Sequence, residues 1–325
     1  MTRKVKNAIV GGTTSKYVLN EDDISYLVET LCRMRGAALK LGQIISIQDN
    51  EFVPDFVQSA FARACASADF MPSWQVKQQL NNTWGKKWPV KYFEMQPIAA
   101  ASIGQVHWAT THNEQKLAVK IQYPGIAKAI ESDLSNVAPL FKSLLPANFF
   151  PDRALSVARH ELRWEIDYRR EAAAIQRYAN FVKNSHVCVP KVFHELSSDT
   201  VLTMEYLNGV NLNEMQAIDA YSQEERNFVA ETLFRLVLRE LFVYNFVQTD
   251  PNPANFVIER SHHGISINLL DFGSTRSYPD NFIADYLELI KCASELDRRG
   301  ILHYSQKLGF LCGLESHRMQ EAHCD

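Results

Sequence analysis

The chain has little cysteine, and none of it is paired in sequence. Six residues (Cys32, Cys65, Cys188, Cys292, Cys312 and Cys324) are spread over 325 positions without a Cys-x-x-Cys pair. That spacing argues against a disulfide framework or a zinc ribbon and predicts free, mostly packed thiols in a reducing compartment. Long apolar runs are also missing, whereas a bilayer-spanning helix needs ~18 or more apolar residues in a row. The nearest approach, Phe228 to Val247, is broken by Glu231, Arg235, Arg239 and Glu240 at helical spacing and reads as a core helix. Met1 to Lys6 is basic with no apolar stretch behind it, so it does not read as a signal peptide and is a weak match to a transit peptide. Internal repeats and low-complexity tracts are absent, which excludes a solenoid. Nor is there an excess of positive charge: the formal net charge of -3 supplies no basic field for nucleic acid.

What is present is an ordinary globular composition, 46% hydrophobic and 22% charged, long enough for one bilobal core or two modest ones. An amphipathic helix is expected from about Asn20 or Glu21 to Ile47, its apolar stripe carried by Ile24, Leu27, Leu31, Met34, Ala38 and Leu41. Packing against the body is the plainer account of that stripe, and a membrane surface the alternative. Helices follow at Asp55 to Ala68 and Ser73 to Trp84, with Met71-Pro72 as the break. From Val90 the texture changes to short alternating segments, Tyr92 to Ile98, Gly104 to Thr110 and Lys116 to Gln122, the pattern of antiparallel strands. Helix returns from Ile126 to Leu144 and, strongly charged, from Arg153 to about Lys183. Lys191 to His194 and Val201 to Tyr206 read as strands ending at the Asn208-Gly209 turn. Long helix resumes from Gln223 to Asn245, two short strands follow at Asn255 to Glu259 and Ser266 to Leu270, and helices close the chain. This order gives an α+β chain: helical preface, small mixed sheet, turn, helical body. The expected divisions are a helical extension over 1–88, a small lobe over 89–207 and a large helical lobe over 208–325, the arrangement of a bilobal protein-kinase-like fold.

Lys120, at the end of Leu117-Ala118-Val119-Lys120, reads alone as a lysine snorkelling from a strand. With a partner carboxylate it is instead a compact charge suited to two phosphates. Candidate partners are Glu165, Asp167 and Glu171; Asp167 and Glu171, four apart, would share a helix face, and a solvated charged face is the plainer reading of that run. The stretch Gln248-Thr249-Asp250-Pro251-Asn252-Pro253-Ala254-Asn255 is followed sixteen residues after Asn255 by Asp271-Phe272-Gly273. Asp-x-x-x-x-Asn, then Asp-Phe-Gly after two short strands, supplies oxygen ligands for Mg²⁺ and a carboxylate near a reacting oxygen. Asp-Phe-Gly alone is weak; in this order behind a strand lysine, the combination is specific.

Over nearly its whole length the chain resembles the UbiB family of atypical kinases, in the branch tied to coenzyme Q biosynthesis. The motifs that carry the resemblance are Lys40-Leu41-Gly42-Gln43 on the extension, Ala99-Ala100-Ala101-Ser102-Ile103-Gly104 where protein kinases carry glycines, Glu165-x-Asp167, Glu171-Ala172 and Gln248-Thr249-Asp250-Pro251. The resemblance implies that Lys120 pairs with Glu171 and the α/β-phosphates, that Asn255 and Asp271 hold Mg²⁺, and that Asp250 takes the catalytic-loop position. It implies that Ala99, Ala100, Ala101, Ser102 and Gly104 cover the phosphates of ATP or ADP, and that the Glu205 to Leu207 hinge meets adenine. It places Lys40, Gly42 and Gln43 against the Glu165/Asp167 pair as regulatory elements. It also implies peripheral association with the matrix face of the mitochondrial inner membrane, a coenzyme Q biosynthetic complex or a quinone-precursor lipid as partner, a leader before residue 1 and further large-lobe helices after residue 325. Oligomeric state is left open, a homodimer included.

Three departures bear on activity. Alanine in place of glycine adds a Cβ where backbone would approach phosphate. Only six residues separate Gly273 from Asp280, where another helix is expected, too few for the usual activation segment. Gln-Thr rather than His-Arg precedes Asp250. Expected functions therefore run from a Mg²⁺-dependent ATPase or small-molecule phosphotransferase, through a non-catalytic nucleotide-gated module, to a protein kinase acting in trans as the last choice.

Overall fold

The structure is a computed structural model that describes residues 70–101, 103–144, 151–183, 185–215, 221–250, 252–261 and 264–325. Lys40, Gly42, Gln43, Ser102, the two helices expected before residue 70, Cys32, Cys65, His262 and His263 lie outside the described residues. Two compact units are present. One contains Gly125–Leu162; the other, Met71–Pro124 with Arg163–Asp325, holds every strand among the described residues and all the site residues described below.

In the larger unit, helix α1 (Ser73–Trp84) starts after Pro72, whose fixed φ suits a helix entry, and buries Val76, Leu80 and Trp84 at four-residue spacing. The Trp84 indole N–H donates to Leu196 O at 2.9 Å. Strands β1 (Tyr92–Phe93), β2 (Ala99–Ala101), β3 (Gly104–Thr110), β4 (Lys116–Gln122) and β6 (Val201–Glu205) form an antiparallel sheet in the order β1-β3-β4-β6, with β2 also on β3. Along β4, Leu117, Val119 and Ile121 are fully buried on one face. The period of two therefore sends Lys120 and Gln122 to the other. Gly104 lets β3 close on β4: a Cβ there would stand 2.1 Å from Ile121 O.

A second sheet runs β5-β10-β9-β7, comprising Val187–Cys188, Gly264–Leu269, Phe256–Ser261 and Val210–Asn211. At the entry to β7, Gly209 has φ +139° and its Cβ position lies 2.5 Å from Ile258 O, so only glycine makes that turn. Strands β8 (Val247–Gln248) and β11 (Thr275–Arg276) pair antiparallel, Thr275 opposite Gln248. That short ribbon brings the Asp250 loop beside Asp271-Phe272-Gly273.

In the smaller unit, α2 (Ile126–Leu144) buries Ile126, Ile130 and Leu134, and α3 (Pro151–Glu165), whose last three residues belong to the larger unit, buries Leu155, Ala158 and Leu162, each at helical spacing. An Arg159–Glu131 ion pair at 3.1 Å joins them.

The single charged helix expected over Arg153 to Lys183 is instead two, α3 and α4 (Tyr168–Phe181). Asp167, a poor interior residue but a good cap, accepts from Arg170 N–H at 2.9 Å and starts the second. Asp167 and Glu171 therefore do not share a helix face as paired partners; the first caps the helix that carries the second. Lys191 to His194 is not a strand: only Val192 bridges to Met204, and a 3₁₀ turn at His194–Leu196 follows. The alanine loop is itself largely strand β2, hydrogen-bonded to β3. After the short helix α5 (Leu212–Met215), α6 (Gln223–Arg239) opens on a Ser222/Glu225 capping box. It widens into a π turn at Glu240–Tyr244 and ends at left-handed Asn245, φ 44°. Helices α7 (Asp280–Ser294), α8 (Arg298–Lys307) and α9 (His317–Cys324) complete the chain. The thiols are not packed as expected: Cys188 and Cys312 are exposed, Cys292 and Cys324 partly so. No helix among the described residues is long and apolar enough to cross a membrane.

Candidate active site

Lys120 projects from β4 onto α4 and is 7% exposed; Glu171, one turn into α4, is 1% exposed. Lys120 Nζ donates to Glu171 Oε1 at 2.6 Å and to Asp271 Oδ2 at 3.5 Å. Burial would lower the lysine, but the Asp271 and Glu171 carboxylates outweigh it and hold the ammonium above its ordinary range. A snorkelling lysine would show a solvated head, and this one is enclosed.

Asp271 is fixed from three sides. Its Oδ1 accepts from Gly273 N–H at 2.9 Å, its Oδ2 from Lys120, and its backbone carbonyl from Gln248 Nε2 at 3.3 Å. The same Gln248 side chain accepts from Asp250 N–H at 2.7 Å. Asn255 Nδ2 donates to Asp250 O at 3.2 Å, which leaves its amide oxygen as the atom to offer a cation. Thr249 Oγ1 donates to Ser274 O at 2.6 Å and closes the ribbon. Beneath it Phe272 is fully buried and meets Tyr178 of α4 edge-on at 5.2 Å.

A second layer was invisible as chemistry in the sequence. Gln122, on the Lys120 face of β4, donates to Ile166 O at 2.7 Å and so holds the α3–α4 junction to the lysine strand. Arg170, the neighbour of Glu171, donates to Gly273 O at 2.6 Å and also to Thr275 O. Its guanidinium lies 4.7 Å from the Trp164 ring, and Arg276 lies 4.8 Å from the same ring. The only sequence signal for these residues was position, two beyond Lys120 and one before Glu171. Glu165 stands by the Asp271-Phe272-Gly273 loop: a Cβ on Gly273 would lie 3.9 Å from Glu165 Cγ.

Ala99, Ala100 and Ala101 lie along the β2 edge, the first two exposed. Glu205 ends β6 with its N–H bonded to Lys191 O, and Leu207 stands in the segment leaving the sheet. The Glu205 side chain faces a groove of about 550 Å³ between α4 and residues 189–192, away from the charged cluster. The charged cluster suits a magnesium nucleotide: one enclosed ammonium for phosphate, and Asp271 and Asn255 as oxygen donors for a hard cation. Among the described residues no three His, Cys, Asp or Glu side chains converge on a preformed metal cage. Mg²⁺ needs none, since it takes one or two carboxylates and completes its shell with phosphate and water.

Residues 64–305 match the model of the ABC1 atypical kinase-like domain. The chain is 43% identical over 325 residues to the atypical kinase COQ8B, mitochondrial, of Danio rerio, covering 98% of this chain and 51% of that protein. It is 39% identical over 318 residues to the atypical kinase COQ8, mitochondrial, of Saccharomyces cerevisiae, covering 96% and 62%. The chain thus spans about half to three-fifths of the curated relatives it matches. Among solved structures, the complex of Rv3197 with erythromycin from Mycobacterium tuberculosis aligns with a TM-score of 0.58 and 26% identity, covering 88% of this chain and 73% of that one.

Proposed function

This chain belongs to the ABC1 atypical kinase-like family, and from that premise we propose that it is a Mg²⁺-dependent atypical kinase-like ATPase supporting coenzyme Q biosynthesis. The observation that carries the reading is the enclosed Lys120 ammonium between Glu171 and Asp271, tied through Gln248 to Asp250. In this reading Lys120 meets the α/β-phosphates, Asp271 and Asn255 hold the metal, and Asp250 lies nearest the reacting oxygen. Bound Mg²⁺ would neutralise charge on the transferred phosphoryl group. Ala99, Ala100, Ala101 and Gly104 flank the nucleotide, and the Glu205 to Leu207 segment meets the base. Glu165 and Asp167 stand where the Lys40-x-Gly42-Gln43 motif would regulate access.

Two features turn the reading from protein phosphorylation in trans. Helix α7 begins at Asp280, so the peptide-docking segment of a protein kinase has no room after Gly273. The alanines of β2 replace the glycines that would let backbone close on phosphate. These same alanines favour the alternative of a nucleotide-gated module that binds without turnover. The setting in this reading is the matrix face of the mitochondrial inner membrane, with a quinone-biosynthetic complex or lipid as partner; the relatives named mitochondrial support the compartment.

Phosphate release from Mg–ATP by the wild-type chain and Asp250→Asn separates these readings. The ATPase reading expects release by wild type and a fall of 10² or more in kcat for the variant, with nucleotide affinity nearly kept. Tight binding with release at the uncatalysed rate would replace it with the gated module.

A further inference from the structure

Tyr168 opens α4 one turn before Glu171, so both lie on the face that meets β4. The residue is 2% exposed, and its hydroxyl oxygen is fully buried with no hydrogen-bond partner. A buried tyrosine hydroxyl nearly always finds a partner, because leaving one bare costs the desolvation of a polar group with nothing in return. The surroundings make this one more pointed. Lys120 Nζ stands 5.8 Å from the ring, and the charges of Lys120, Glu171, Asp271 and Glu165 all act on the hydroxyl. Three carboxylates are near enough to be felt, yet none accepts its proton. Phenylalanine would fill the same space without the penalty.

A polar atom bare in the ligand-free chain, set where an ammonium and the Asp271 carboxylate converge, has the properties of a group whose partner arrives with the ligand. We propose that nucleotide entry uncovers the Tyr168 hydroxyl, which then donates to a phosphate oxygen at the Lys120–Asp271 cluster. The inference rests on the reading of this cluster as a nucleotide site. It assigns Tyr168 a binding role and no part in bond making. A phenol suits that place: it adds a neutral donor beside Lys120 without a further charge to desolvate, and its position on the first turn of α4 fixes it to the helix that carries Glu171.

The test is Tyr168→Phe in the full chain, read by calorimetric titration with Mg–ATP, Mg–ADP and adenosine, and by the melting temperature without ligand. The expected result is a Kd about tenfold weaker for both phosphorylated nucleotides, equivalent to about 1.4 kcal/mol. Adenosine binding should be unchanged, and the ligand-free melting temperature equal to or above that of wild type, since the bare hydroxyl is gone. Equal Kd values for wild type and variant would overturn the inference while leaving the nucleotide site intact. Equal weakening with adenosine, or a lower ligand-free melting temperature, would also overturn it by making the hydroxyl structural. A wild-type chain that binds none of the three ligands would remove the underlying reading, and the inference with it, in an arm the variant does not enter.

Discussion

Replacing Glu240 by glutamine isolates one buried charge beneath the site. Glu240 is 3% exposed at the start of the π turn. It accepts from Tyr178 Oη at 2.5 Å and from Gln248 N–H at 3.4 Å, and Gln248 in turn holds Asp250 and Asp271. Burial pushes its carboxyl from 4.5 up to about 7, against the pull of those two donors. Between pH ~4.5 and ~7 the folded chain therefore keeps a proton that the unfolded chain has released. Raising the pH through that window removes stability, by about 3 kcal/mol in full for this shift; below it both states are protonated and above it both are ionised. Glutamine mimics the neutral carboxyl at every pH. In urea melts at pH 5 and pH 8, Glu240→Gln should gain about 2–3 kcal/mol on wild type between the two conditions, whatever constant offset the amide brings. Tyr178→Phe, which removes a donor that lowers the carboxyl, should carry the upper edge of the window to higher pH and leave its lower edge in place. Parallel stability profiles for wild type and Glu240→Gln across pH 5–8 would refute the reasoning.

Other expectations follow from the same geometry. Lys120→Met strands the buried Glu171 charge and should cost about 3–5 kcal/mol, whereas Lys120→Met with Glu171→Leu should recover most of that stability in chemical denaturation yet bind no nucleotide. Gly104→Ala drives a Cβ to 2.1 Å from Ile121 O, so strands β3 and β4 must part; a melting-temperature loss of several degrees is expected. Arg170→Ala removes the donors to Gly273 O and Thr275 O and the stack on Trp164. It should weaken Mg–nucleotide binding at least fivefold in calorimetry, with a stability cost of about 1–3 kcal/mol.

Local pattern carried much of this in the sequence. The alternation Leu117, Val119, Ile121 and the turn residues around it place β4 over Lys116–Gln122 and turn Lys120 to the opposite face. The four-residue spacing of Val76, Leu80 and Trp84 does the same for α1. The α3–α4 break escaped because a run of charged helix formers outweighs one aspartate in a propensity reading, while the Asp167 cap decides it in the fold. The 191–194 segment looked like a strand from its Val192-Phe193 pair, yet ladder pairing is limited there to one bridge. Lys120, Glu171 and Asp271 were legible as types in order, but their distances depend on pairings 51 and 151 residues apart. Arg170 and Gln122 were illegible because each works through backbone carbonyls, which no side-chain motif records; Gln248 stood in the Gln-Thr-Asp-Pro motif, but its contacts to the Asp271 carbonyl and the Asp250 amide did not. Orphaned atoms such as the Tyr168 hydroxyl exist only once packing is known.

The measurement that bears most directly on the central claim is a thermal shift with ATP and ADP, each with and without Mg²⁺, on this chain and on Asp271→Asn. At a hundred times its dissociation constant a ligand should add about 2.7 kcal/mol to the folded state. A Mg²⁺-dependent upward shift in wild type, lost in Asp271→Asn, is the predicted result. A folded wild-type chain whose melting temperature ignores both nucleotides would contradict the account.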